Sequence, residues 1–261
     1  MFAIIKQKFS RIAYLTPDWF FALLLTLLGC LHPYRDCELI ISRKNCWMTK
    51  SRNKTIPVFM PKKGRYGRSN RKILEKYTYS PFVEVKEGDV VCDVGAFIGE
   101  YTLSVADKAS LVISIEPDPR NYLFLKRNTE HLKNIILIPN PLWNDDVKIE
   151  FKLGDNPTDS SIINVDCGIE GGSLFVQAKR LDTLLAELRI DKVDFLKIDA
   201  EGAEPEVLMG AEEVLTKVKK VAVDVGQERY GKSTSAMVRK ILKNRGFKTY
   251  LRGYMLYGWR D

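Results

Sequence analysis

The sequence predicts a doubly wound α/β fold, with a mostly parallel sheet that closes on an antiparallel hairpin. Three observations carry this expectation. From residue 89 onward, short apolar runs rich in Val and Ile alternate with segments of helical period. The first of these runs, Val90–Val94, breaks into a turn bracketed by Gly95 and Gly99, the form taken where a buried strand hands over to a helix beside a ligand. At the C-terminus two strand-like stretches flank Arg252-Gly253, which reads as a hairpin rather than a further parallel strand.

Taken in order, the chain of 261 residues begins with its most apolar stretch, Trp19 to Leu31. Its thirteen residues fall short of the ~20 that a bilayer-spanning helix needs. Pro17 and Asp18 make a good helix start before it, and Lys6, Lys8 and Arg11 precede it. A helix packed on the domain, a peripheral membrane contact through residues 1–31 and a secretory signal are the three readings of this stretch, although no small-residue cleavage site follows it. Between Arg43 and Lys72 there are eleven Lys or Arg and no Asp or Glu, so the net charge of +8 is concentrated in a basic linker or lid. Cys30, His32, Cys37 and Cys46 have no recognisable ligand spacing, and no metal is expected there. Five cysteines, with Cys92 inside an apolar strand, fit a reducing, cytoplasmic setting, with membrane association as the variant that residues 1–31 allow. The division expected is an N-terminal extension over 1–78 and a catalytic domain over 79–261.

Within that domain the first strand is Asp89–Val94 and the second Leu111–Ile115. Asp118 as N-cap and Pro119 at the first position open the helix after the second strand. The third strand is Ile135–Ile138; the rhythm then breaks, and V-K-I-E-F-K-L and S-L-F-V-Q-A read as an antiparallel excursion over one edge of the site. A helix over Leu181–Leu188 leads to the fourth strand, Val193–Ile198, followed by a helix over Pro205–Thr216. The fifth strand is Val221–Val225, and its helix runs from about Thr234 to Arg245 with Gly246 as C-cap.

In an open parallel sheet the ligand sits outside the carboxyl ends of the strands, and three motifs converge there. They are Asp93-Val94-Gly95-Ala96 with Gly99 and Thr102, Glu116-Pro117-Asp118, and Lys197-Ile198-Asp199-Ala200-Glu201-Gly202-Ala203-Glu204. Phe97 stands where a dinucleotide-binding turn requires its second glycine, so a pyrophosphate is disfavoured. Together with L-W-N after the third strand and R-L-D-T-L-L before the fourth, these motifs resemble the FkbM family of S-adenosylmethionine-dependent methyltransferases, over about Tyr79 to Lys248.

The resemblance implies a Rossmann-like class I methyltransferase fold with a seven-stranded, mostly parallel sheet, and S-adenosylmethionine as cofactor. It also implies cofactor contacts from Asp93, Gly95, Ala96, Gly99 and Thr102, ribose binding by Glu116, and adenine packing by Trp143 and Asn144. Lys197 and Asp199 share one face of a buried strand, which allows either an internal salt link or a catalytic role. Asp199 or Glu201 is the candidate general base, while Glu201 and Glu204 have helix capping as their structural alternative. Asp224 adds a third carboxylate that a divalent ion could share, though no metal is assigned. The function expected is O-methylation of a hydroxyl on a sugar, glycan or related small molecule. An RNA methyltransferase using the basic 43–72 segment is a rival, but D-A-E-G stands where base-amine enzymes carry an N-P-P-Y-like loop. A membrane-associated binding module without activity is the other rival. The acceptor and the oligomeric state are not encoded in any recognisable motif.

Overall fold

Val90–Val94 becomes β4, the strand beside which chain order reverses; all of its residues but Asp93 are apolar, and both of its faces are covered. The structure, a computed structural model, describes residues 38–42, 46–51, 58–61, 70–154, 159–164 and 170–260. It divides into two units, Met1–Ser69 and Asn70–Asp261. The apolar stretch at 19–31 lies outside the described residues. No helix among those described is long and apolar enough to cross a membrane.

The first unit contains three antiparallel strands in sequential order, β1 (Glu38–Ser42), β2 (Cys46–Ser51) and β3 (Val58–Pro61). An irregular basic segment was the expectation from sequence. Strands of four to six residues separated by basic stretches are too short to show a period of two.

The second unit opens with helix α1 (Asn70–Lys76) and then follows the predicted alternation. After β4 come α2 (Glu100–Val105), β5 (Leu111–Ile115), α3 (Pro119–Thr129) and β6 (Ile135–Ile138). The excursion is a two-stranded antiparallel ribbon of β7 (Lys148–Gly154) and β8 (Glu170–Gln177). Then follow α4 (Leu181–Glu187), β9 (Phe195–Ile198), α5 (Glu204–Met209), α6 (Val214–Lys217), β10 (Lys220–Asp224) and α7 (Ser235–Asn244). The hairpin of β11 (Lys248–Arg252) and β12 (Met255–Trp259) closes the unit.

The seven-stranded sheet has the order β11-β12-β10-β9-β4-β5-β6. Strands β6, β5, β4, β9 and β10 are parallel, and β12 inserts antiparallel between β10 and β11. Chain order therefore reverses between β4 and β9, which makes a crevice at their carboxyl ends. One face of the sheet is covered by a core that includes Leu184, Val207, Leu215 and Leu242; on the other, Ile73, Tyr77, Tyr101 and Val105 pack with Phe195 and Tyr257.

Two details depart from the sequence reading. The single helix expected over 205–216 is split into α5 and α6 at Gly210, where an added Cβ would come 2.0 Å from the Trp143 carbonyl oxygen. Asp182 exploits the break: its amide donates to the Gly210 carbonyl, and its carboxylate accepts the amides of Glu213 and Val214 at 3.1 and 3.0 Å. Helix α3, in contrast, starts as expected, with Asp118 accepting the Arg120 amide and Pro119 at the first position. Asp182→Ala removes a buried capping carboxylate and is expected to destabilise the fold by about 1–2 kcal/mol, seen as a lower urea midpoint with an unchanged slope.

Candidate active site

The register of β4 and β9 sets Asp93 beside Lys197 on the same face of the sheet. Asp93 is 0% exposed and Lys197 3%, so neither charge could be tolerated without the other. Lys197 Nζ lies 2.9 Å from Asp93 Oδ1, as a charge contact rather than an aligned hydrogen bond. It donates to the Val94 and Gly95 carbonyl oxygens at 3.1 and 2.7 Å. Asp93 Oδ2 accepts the Thr102 hydroxyl at 2.7 Å, and Ser114 sits within 2.8 Å of the same hydroxyl. Lys197 is therefore an internal link from strand to strand beneath the glycine turn; Asp199 is not its partner.

The turn itself is fixed by protein contacts. The Gly95 and Ala96 amides both donate to the Ile115 carbonyl, and a Cβ on Gly95 would lie 1.8 Å from the Asp199 carbonyl oxygen. A Cβ on Gly99 would meet Leu125 of α3 at 2.9 Å. These glycines allow β4, β9 and α3 to approach one another. Phe97 adopts a left-handed φ of 52°, and this aims its amide at Glu116 Oε2, 2.8 Å away.

Glu116, at the end of β5, is buried, and its Oε1 accepts the Asp118 amide at 2.9 Å. Burial pushes its carboxyl up to about 8, against the lowering effect of those two amides. Trp143 and Asn144 follow β6, the first half-buried and the second exposed.

The end of β9 is crowded with charge. Asp199 Oδ2 accepts the Tyr77 hydroxyl at 2.5 Å and Lys76 Nζ at 3.0 Å. Lys76 Nζ also lies 2.6 Å from Asp224 Oδ2, at the end of β10, and 2.7 Å from the Tyr77 oxygen. Burial opposes ionisation of Asp199, but Lys76 and Lys197, with the hydrogen bonds from Tyr77 and Lys76, outweigh it and hold the carboxyl well below the usual range. Asp224 is shifted upward by burial and by Asp199, with Lys76 opposing. Glu201 occupies a left-handed turn position, φ 48°, and is raised well above its ordinary value by burial and by Asp199, Glu228, Asp159 and Glu204. Glu204 folds back instead: Oε1 accepts the Ala200 and Gly202 amides and Oε2 the Thr234 hydroxyl, so it shapes the D-A-E-G turn.

Lys76 and Tyr77 were not among the residues expected from sequence. They belong to α1 and the residue after it, and the C-terminal hairpin holds them in place. Tyr257 Oη donates to the Lys76 carbonyl, Arg252 donates to the carbonyls of Glu75 and Thr78, and Tyr79 stacks on Tyr250 at 4.6 Å between centroids. An isolated K-Y pair in a basic region carries no motif; the alternation of an apolar helix face at Ile73 and Tyr77 was the sole local signal. The segment 159–164, between β7 and β8, meets the turns after β5 and after β9, where the sequence reading had the excursion over one edge of the site. Ser160 Oγ donates to Asp118, with Arg120 bonded to both, and Ser161 Oγ donates to the Glu201 carbonyl. Among the described residues no group of three or more His, Cys, Asp or Glu side chains has the geometry of a metal site.

The family described as "Methyltransferase FkbM domain" matches residues 93–249. A hexuronic acid methyltransferase, AglP, of Haloferax volcanii is 26% identical over 54% of this chain and 58% of its own length. A 2-O-methyltransferase, NoeI, of Sinorhizobium fredii is 25% identical over 56% of this chain and 67% of its own. The match therefore spans somewhat over half the length of these relatives. A methyltransferase FkbM from Methylobacillus flagellatus superposes with a TM-score of 0.51 at 21% identity, covering 70% of this chain and 46% of that one, which shows the shared fold.

Two measurements check the electrostatics. Lys197→Met strands a buried carboxylate and is expected to cost about 3–5 kcal/mol, largely recovered when Asp93→Asn is added. Glu204, like Glu116, is pushed up to about 8 from 4.5, burial being the chief cause. Between those pH values the native state keeps protons that the unfolded chain has released, so stability falls as pH rises through that window. Glu204→Gln is expected to flatten part of that fall in urea midpoints compared across it, the other raised carboxyls supplying the rest.

Proposed function

The chain belongs to the methyltransferase FkbM family, and from that premise we propose that it is an S-adenosylmethionine-dependent O-methyltransferase acting on a hydroxyl of a sugar, glycan or related small molecule. The carrying observation is Glu116: a buried carboxyl at the switch-point crevice whose two oxygens are held by the Phe97 and Asp118 amides and whose ionisation is still incompletely compensated. Two ribose hydroxyls are the donors such a group lacks, so the residues present suit this cofactor. The O-directed and sugar-directed parts of the reading are supported by the names of the two curated relatives.

When bound, S-adenosylmethionine supplies a methyl carbon on a sulfonium, and the hydroxyl oxygen that takes it must lose a proton. Glu116 would hold the ribose, and Trp143 and Asn144, which follow β6, would flank the adenine. Asp93, Thr102 and Lys197 act from beneath by holding the Val94-Gly95 carbonyls and thereby the turn Gly95, Ala96 and Gly99. They are positioning residues. The carboxylates divide the remaining work by their environments. Asp199 is kept ionised by Lys76 and Lys197, so it orients a hydroxyl but is a poor proton acceptor at neutral pH. Glu201, raised by burial and by surrounding carboxylates, has the proton affinity a general base requires, and its carboxylate receives the hydroxyl proton.

Equilibrium binding of labelled S-adenosylmethionine tests the premise: binding is expected, and NAD binding in its place would overturn the reading. Glu116→Ala is expected to weaken S-adenosylmethionine binding by about 10–100-fold. Glu201→Gln should leave that binding intact and lower turnover by about 10²-fold or more, while Asp199→Asn lowers turnover through misplacement of the acceptor. Parent-like behaviour of the Glu116 and Glu201 variants together would discard the site assignment.

A further inference from the structure

Ile198 of β9 pairs with Val223 of β10, so the residues that follow them, Asp199 and Asp224, set two carboxylates side by side at the mouth of the crevice. Carboxylates this close repel unless a cation stands between them, and a divalent ion is one that such oxygens hold well. Here an ammonium has that place. Lys76 Nζ lies 3.0 Å from Asp199 Oδ2, 2.6 Å from Asp224 Oδ2 and 2.7 Å from the Tyr77 oxygen. Asp224 Oδ1 accepts the Gly226 amide at 3.1 Å. Both hydrogen bonds to the Asp199 carboxylate, from Lys76 and from Tyr77, fall on Oδ2. Among the described residues nothing donates to its Oδ1, and the side chain keeps 24% of its surface exposed.

The backbone fixes this ammonium from both sides. Tyr257 donates to the Lys76 carbonyl and Arg252 to the carbonyls of Glu75 and Thr78, while Ile73 and Tyr77 anchor the same helix face in the core. The titratable groups that face Asp199 are Lys76 and Tyr77, Lys197 from β9, Asp224 from β10, and Glu201 and Glu204 from the turn after β9. Of the cations among them, Lys76 is the one in hydrogen-bond contact. We propose that Lys76 is the resident cation of the acceptor site, standing between Asp199 and Asp224 where a divalent ion would otherwise bridge them, and that as a positioning residue it fixes Asp199 through Oδ2 and leaves Oδ1 to receive the hydroxyl to be methylated. The proposal rests on the O-methyltransferase reading for that hydroxyl and adds what holds the carboxylates together. A tethered ammonium does not exchange with solution, so the pairing of Asp199 with Asp224 does not depend on the supply of a metal ion.

The test titrates the full chain with Mn²⁺, read by loss of the free-ion EPR signal, in the parent, in Asp224→Asn, in Lys76→Ala and in the double variant. The parent is expected to bind no Mn²⁺ that Asp224→Asn removes. Lys76→Ala is expected to gain a site about tenfold or more tighter than the parent's background, formed by Asp199, Asp224 and water, and the double variant to lose it. NMR of the aspartate carboxyl carbons, without metal, follows Asp199 itself. Removing the adjacent ammonium favours the protonated form, so its titration midpoint is expected to rise by about 1–3 pH units in Lys76→Ala, which a merely structural lysine would not cause. Lys76→Gln carries the same expectations if the alanine variant does not fold, and the comparison of the parent with Asp224→Asn needs neither. An Mn²⁺ site in the parent that Asp224→Asn removes, no gained site in a folded Lys76 variant, or an unmoved Asp199 midpoint would overturn the inference. Labelled S-adenosylmethionine is titrated into the same parent sample: if it binds, any of those results removes this inference alone, and if it does not, the function reading falls and the acceptor role of Oδ1 with it.

Discussion

The buried contact between Lys197 and Asp93 is the constraint on which the rest of the site depends. It joins the two strands between which chain order reverses, and it does so at the depth where the glycine turn begins. A lysine at 3% exposure is tolerated because the Asp93 carboxylate lies 2.9 Å from its ammonium and two carbonyls of the turn accept its hydrogens. The turn's backbone is therefore tied to the sheet electrostatically as well as by the close approach at Gly95, where Asp199 leaves no room for a Cβ. The Phe97 amide then faces Glu116, and the D-A-E-G turn emerges on the other side of the crevice.

Above that base, the antiparallel hairpin acts as a bracket. By inserting β12 beside β10 it brings Tyr257 and Arg252 against the C-terminal carbonyls of α1, and α1 in turn presents Lys76 and Tyr77 to the ends of β9 and β10. Segments about 180 residues apart in sequence thus meet at α1, whose Lys76 and the Tyr77 that follows it help hold Asp199 ionised. The site is consequently larger than the segment shared with the family, which begins at Asp93.

The same bracket separates the carboxylates by role. Asp199 and Glu201 are two residues apart in one turn, yet the first is lowered and the second raised. The difference is one of neighbours: lysines and a tyrosine hydroxyl for Asp199, burial and other carboxylates for Glu201. One acid that stays ionised beside one that binds a proton readily is the arrangement proton-transfer chemistry uses.

Local sequence was enough for the sheet and for the place of three motifs at its strand ends. Strands β4, β5 and β6, the Asp118 cap and the hairpin were readable because each is specified by a contiguous period, a cap or a turn residue. The three strand-end motifs were readable because a parallel sheet places the ends of consecutive strands together whatever lies between them. The helix break at Gly210 escaped, since the groups that meet it, the Trp143 carbonyl and Asp182, come from other elements, and so did the three short strands over 38–61. The choice between Asp199 and Glu201 could not be made from sequence either. Proton affinity at a strand end is set by charges and burial arriving from α1 and the 159–164 loop, and only tertiary packing brings those within a few ångströms. Sequence determined where a cofactor could sit; the fold decided which carboxylate keeps its charge, because electrostatics acts through space and not along the chain.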